Sequence, residues 1–188
     1  MSETTKLFAQ VTDRFAEQVR SVAPDAWGNA TPCSDWDVRA LVNHVVGELL
    51  WAPPLVAGQT IDDVGDRFDG DILGADPAAT TASAVAAAQR AFEEDGALER
   101  TVHLSFGDFP GDHYCWQLIS DVVVHGWDLA RGVDADDTID AATAEKVHDF
   151  IAPLLAQMSG SPYFAAPVAV DDDAPVQDRL LAATGRTP

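Results

Sequence analysis

An all-α helix bundle is the fold class this sequence predicts, and three observations predict it. Five segments repeat apolar residues at three- and four-residue intervals, the period of a helix with one buried face. Capping residues open most of these segments, and proline or glycine closes them. The 188 residues contain no internal repeat and no linker long enough to divide them, so 1–188 reads as a single domain able to bury a core without disulfide staples.

The first helix is expected after Ser2, with Leu7, Phe8, Val11, Phe15, Val19 and Val22 on one side and Pro24 closing it. The second is expected to take Ser34 as N-cap, with Asp37 three residues on as a weaker capping box. It runs through VRALVNHVVGELLWA and should stop at Pro53-Pro54. Residues 55–75 are rich in Gly and Asp and read as a long loop, a natural site edge or lid. Asp76-Pro77 is an N-cap followed by proline at the first helical position; this third helix continues through an alanine-rich stretch to Phe92 and ends near Gly96. Residues 100–109 read as a short extended segment. A fourth helix should start near Asp112 and reach Gly132, and a fifth should run from Asp140 to Gly160. In the tail a β-like patch at Pro167–Val170 and the acidic turn DDDAP precede a last short helix around QDRLLAAT.

Charge excludes several functions. Acidic side chains number 31 against 11 basic ones, a formal charge of −20, which repels nucleic-acid phosphates and anionic lipid. No apolar run approaches the roughly 20 residues of a membrane span. The N-terminus lacks the basic-then-apolar pattern of a secretory signal, and Cys33 and Cys115 do not form a disulfide framework. A reducing cytoplasm is the expected location, without nucleic-acid or membrane partners. An anionic ligand on so acidic a chain needs a local positive centre, which a metal supplies.

The fourth segment carries the chemistry. On a helix, Leu118, Val122, His125 and Leu129 share one stripe, with Asp121 and Asp128 along its edge. The pattern that turns the aliphatic residues inward turns His125 inward too. Asp121 lies four residues earlier, so carboxylate and imidazole meet over one turn and can grip a metal at two points. The same spacing serves equally for a simple ion pair. The second segment offers His44 and Glu48, again four apart and flanking the stripe of Val38, Leu41, Val42, Val45 and Leu49. Facing helices in a bundle bring such residues together. Two histidines and one carboxylate leave coordination positions open for water or substrate. Glu48 is either a neighbour of that set or a solvated residue. Asp128 either orients His125 or is a surface charge that disfavours the helix end, and that local cost hints at a partner. Cys33 precedes a helix start, Cys115 falls near the inner face, and His148 reads as structural. His103 and His113 flank the turn before the fourth helix, near a site mouth or simply solvated. Trp36, Trp51, Trp116 and Trp127 read as core or pocket aromatics.

TPCSDWDVRALVNHVVGE, DVVVHGWDLARG and the closing DRLLAATGRTP, taken together and in order, resemble an actinobacterial metal-binding family. That family belongs to the DinB-like superfamily, which includes the N-terminal domain of mycothiol-dependent maleylpyruvate isomerase. The resemblance implies an up-and-down four-helix bundle with short additional helices and a minor β segment. It also implies a divalent metal, zinc first, on His44, Asp121 and His125, with Glu48 and Asp128 in the surrounding shell. Aspartate stands where the isomerase has glutamate, which shortens the reach to a metal by one methylene. The isomerase also carries a further C-terminal domain for which this chain has no length, so maleylpyruvate itself is not the implied substrate. The function expected is a thiol-dependent transferase or isomerase of the mycothiol type, taking a small-molecule thiol and an electrophilic substrate, with a homodimer as the expected assembly. The alternative is a non-catalytic metal- or ligand-binding bundle.

Overall fold

The computed structural model describes residues 1–157, 166–171 and 173–188. Its helices are α1 (Glu3–Arg20), α2 (Val38–Val56), α3 (Ile61–Val64), α4 (Pro77–Glu93), α5 (Gly111–Gly132), α6 (Ala141–Gln157) and α7 (Val176–Ala183). Strands β1 (Thr101–Leu104) and β2 (Gly107–Pro110) pair antiparallel as a small hairpin where an extended segment was expected. The predicted end of the fifth helix at Gly160 lies outside the described residues. Among the described residues, no helix is long and apolar enough to cross a membrane.

Four helices make the bundle. α1 packs on α4 and α5, and α2 packs on the same two, so α1 and α2 stand diagonally opposite. The apolar stripes explain the arrangement: Phe8 and Phe15 of α1, Leu41 and Leu49 of α2, Phe92 of α4 and Ile119 and Leu129 of α5 are all at most 2% exposed. α6 and α7 pack on each other beside α5. The diagonal placement makes α2 and α5 neighbours, and their facing sides carry the candidate residues.

Three expectations are corrected. The N-cap of α2 is Asp37, not Ser34: Trp36 N–H bonds back to Cys33 O in a turn, and Asp37 accepts the Ala40 N–H at 2.8 Å. Replacing Asp37 with alanine should therefore cost about 1 kcal/mol in a urea melt, and replacing Ser34 less than about 0.5 kcal/mol; equal losses would count against this cap. Pro53-Pro54 do not stop α2, which runs one residue-pair further to Val56. Two backbone donors are lost, but Leu55 and Val56 become 2% and 1% exposed, and Arg100 Nη1 donates to the Val56 carbonyl at 2.8 Å. Pro167–Val170 forms no strand: it meets a helix end instead of a partner strand, and Val168 N–H donates to Ala182 O at 2.9 Å.

The 55–75 stretch is clasped to α2 rather than free above it. Asn43 accepts the Ile72 N–H and donates to Gly70 O, both at 2.9 Å, while Arg39 pairs with Asp71 at 2.8 Å. Leu73, within it, is fully buried. At the start of α5 the Gly111 N–H donates to Arg100 O at 2.8 Å, and the helix backbone presses against the 97–98 turn. Any Cβ at 111 would lie inside the Ala97 carbonyl oxygen, so glycine is what lets α5 begin there.

Candidate metal centre

α2 and α5 bring His44, Asp121 and His125 to one point. His44 Nε2 is 3.4 Å from Asp121 Oδ1, and His125 Nε2 is 3.5 Å from the same oxygen. One donor atom from each of the three residues lies within 4.8 Å of the other two. These separations are long for charge-assisted hydrogen bonds, which close to about 2.7–2.9 Å. They match a different spacing: donors held about 2.0–2.2 Å from a tetrahedral zinc stand about 3.4 Å apart. The second carboxylate oxygen, Asp121 Oδ2, is buried with no hydrogen-bond partner. A buried carboxylate oxygen without a partner is costly, and a cation would relieve the cost. The donor set therefore fits a divalent metal.

Exposure grades across the site. The side chain of His125 is 10% exposed, against 28% for His44 and 26% for Asp121. The site is thus more exposed on the His44 and Asp121 side than at His125. Trp36 seals part of it, with its indole stacked on His44 at 4.5 Å and 30° and tilted over His125 at 5.5 Å.

Behind His125 the chain continues the pattern. Asp128, fully buried, accepts the His125 Nδ1–H at 3.0 Å on Oδ2. The carboxylate can only accept, so Nδ1 carries a proton and Nε2 is the ring nitrogen that faces Asp121. Arg186 covers Asp128 from the tail, with Nη2 donating to Oδ2 at 2.8 Å and Nε donating to Oδ1 at 3.3 Å. Burial alone would raise the Asp128 pKa, but the His125 and Arg186 hydrogen bonds outweigh it and hold the carboxyl below its ordinary range. Asp121 behaves alike: burial opposes its charge, and the neighbouring His125 and His44 imidazoles win, keeping it ionised. For His44, burial would lower the pKa, but the hydrogen bond and charge of Asp121 raise it above its usual value. A metal binding here would therefore compete with a proton that His44 holds more tightly than a free imidazole does.

Glu48 lies beside this set without joining it. It makes no hydrogen bond among the described residues, and burial, followed by the Asp121 charge, raises its pKa. Beyond it the Tyr114 hydroxyl is buried without a partner, its pKa pushed well up by burial and by the Glu48 and Asp121 charges. Cys33 places a donor within 4.8 Å of His125 and Asp128; burial raises its pKa despite the nearby Arg186. Cys115 is fully buried, its thiol pushed above its ordinary pKa by burial.

The loop histidines are elsewhere. His103 pairs with Asp108 across the hairpin at 2.8 Å, and His113 stacks on Phe109 at 4.6 Å. His148 Nδ1 lies 3.8 Å from Asp149 Oδ1. Trp36 is the tryptophan stacked at the site, whereas Trp51 meets Phe68, Trp116 stacks on Phe150, and Trp127 sits under Arg131. The residue that sequence reasoning passed over is Arg186. Its signal was indirect, an acid near a helix C-terminus that needed a cation and two arginines, Arg179 and Arg186, in the closing segment.

Comparison with known proteins agrees with this arrangement of helices. A crystal structure of a histidine-to-alanine mutant of mycothiol-dependent maleylpyruvate isomerase superposes with a TM-score of 0.62, covering 82% of this chain and 67% of that one. The two are 18% identical, so this likeness shows the fold. Two uncharacterized proteins, from two strains of Mycobacterium tuberculosis, are each 30% identical over 183 residues, which is 93% of this chain and 93% of theirs. The family model for the mycothiol maleylpyruvate isomerase N-terminal domain matches residues 8–130, which hold His44, Asp121, His125 and Asp128 but stop short of Arg186. With helices α1 to α5 all falling within or across that match, the chain belongs to the mycothiol maleylpyruvate isomerase N-terminal domain family.

Proposed function

We propose that this chain binds a divalent metal, zinc by its donor set, on His44, Asp121 and His125. It would use that metal in a thiol-dependent transferase or isomerase reaction of the mycothiol type, on an electrophilic small molecule in the cytoplasm. The observation that carries the metal is the pair of 3.4 and 3.5 Å separations onto one Asp121 oxygen. Family membership supports the thiol. When bound, the metal supplies a Lewis acid that lowers the pKa of a coordinated thiol, so that the thiolate is available at neutral pH.

The chain's own groups divide the remaining work. Asp128 holds the proton on His125 Nδ1 and so keeps Nε2 available as a donor. Trp36 covers both imidazoles from one side and excludes water there. Glu48, whose pKa burial and the Asp121 charge raise, lies beside the site as a candidate proton-transfer group. The partly exposed His44 and Asp121 face the side from which thiol and electrophile would enter.

Elemental analysis of protein purified without a metal-affinity tag is the first test, followed by turnover assays with low-molecular-weight thiols and electrophiles. Stoichiometric zinc with thiol-dependent turnover above that of free zinc is expected. Failure to retain or take up zinc would sink the reading. Stoichiometric zinc without turnover would leave a non-catalytic metal-binding bundle.

A further inference from the structure

We infer that docking of the C-terminal segment onto α5 is coupled to metal occupancy, with Arg186 as the positioning residue that carries the coupling; the inference rests on the metal reading above. Arg186 lies outside the 8–130 family match, yet it reaches the shell of the site. Two local bonds hold it, its backbone N–H donating to Leu181 O and its guanidinium Nη1 donating to Thr184 O, both at 2.9 Å. The guanidinium fork then spans 58 residues of sequence to occupy both oxygens of Asp128. Its side chain is 14% exposed and that of Asp128 is 0% exposed, so the pair is shielded from solvent.

One oxygen does double duty. Asp128 Oδ2 receives both Arg186 Nη2 at 2.8 Å and His125 Nδ1 at 3.0 Å. A carboxylate pinned by a bidentate fork cannot rotate about its χ angles, so the plane of the His125 ring is fixed and Nε2 stays aimed at Asp121. The tail is itself held by the fold: Leu180 and Leu181 are fully buried, and Gln177 Oε1 accepts the Ile139 N–H at 2.7 Å. Tail docking thus sets the geometry of one metal ligand through one intermediary.

Two effects of Arg186 oppose each other, and their difference in sign makes the inference testable. As a nearby cation it repels a dication, so charge alone predicts that removing it strengthens metal binding. As the clamp on Asp128 it orients His125, and loss of such an outer partner weakens metal binding by about 10–100-fold. Coupling between sites is reciprocal, so zinc must tighten tail docking by the factor that docking tightens zinc.

The experiment is zinc affinity by competition with a chromophoric chelator for wild type, Arg186→Gln and Arg186→Lys, with hydrogen exchange of 176–188 in wild type with and without zinc. The expected results are a loss of about 10-fold or more in Arg186→Gln and little recovery in Arg186→Lys, which keeps the charge without the fork. Exchange in 176–188 should slow on adding zinc by a comparable factor. Unchanged or tighter binding in Arg186→Gln, or full recovery in Arg186→Lys, overturns the inference while leaving the metal reading intact. Should Arg186→Gln fail to fold, the wild-type exchange decides: no slowing with zinc overturns the coupling. Absence of zinc binding in the wild type is a separate result, which removes the metal reading and this inference together.

Discussion

Replacing His125 with alanine is expected to lower zinc affinity by more than about 100-fold, beyond the range seen for loss of an outer partner. His125 is the least exposed of the three donors and the one whose ring is oriented from behind. Competition against a chelator of known affinity measures the effect, and circular dichroism checks that the helices remain. Asp128 keeps its Arg186 partner in the variant, so the buried carboxylate is not left bare. The rival account is an ion-paired cluster with no metal. It predicts no zinc in either protein and only a change in stability. Retention of wild-type zinc content by His125→Ala would remove His125 from the ligand set.

The largest effect on stability is expected at the far end of the same helix. Gly111→Ala places a methyl group where the Ala97 carbonyl oxygen already sits, and only 3.2 Å from Leu98 Cα. These are backbone atoms, so relief requires moving α5 or the turn itself. That movement breaks the Gly111–Arg100 and Asp112–Leu98 backbone bonds, each 2.8 Å. A loss of about 3 kcal/mol is expected, at the upper end of overpacking costs. In a chain of this length it corresponds to a fall of roughly 6–12 °C in Tm. Thermal melts read the result directly, and a change below about 1 kcal/mol would show that the 97–98 turn yields freely.

The parts of the site that could be read from the sequence are those with a local period. Asp121 and His125 are one helical turn apart on an apolar stripe, so their convergence follows from the helix alone. His44 needed one more premise, that the stripes of α2 and α5 face each other, which a bundle supplies. Arg186 had no such period. It joins Asp128 across 58 residues, and only the docking of α7 determines that contact. The fold shows the same division. Asp76-Pro77 marked the start of α4 because cap and first-turn proline are local chemistry. Pro53-Pro54 misled because the burial of Leu55 and Val56, a tertiary matter, outweighs the lost donors. At Asp37 two polar residues competed for one cap, and the Cys33–Trp36 turn decided between them.

The diagonal placement of α1 and α2 has a consequence for the order of events in folding. His44 and Asp121 are 77 residues apart, and closing so long a loop carries an entropic cost before any contact is gained. In the unfolded chain a metal meets the Asp121–His125 pair alone, because His44 arrives only when α2 seats against α5. A metal at the proposed centre would therefore meet all three donors only once the core has packed α2 against α5, unlike small zinc domains in which the ion organises the chain. On that order, an ion bound as proposed could be exchanged or released while the helices stay in place.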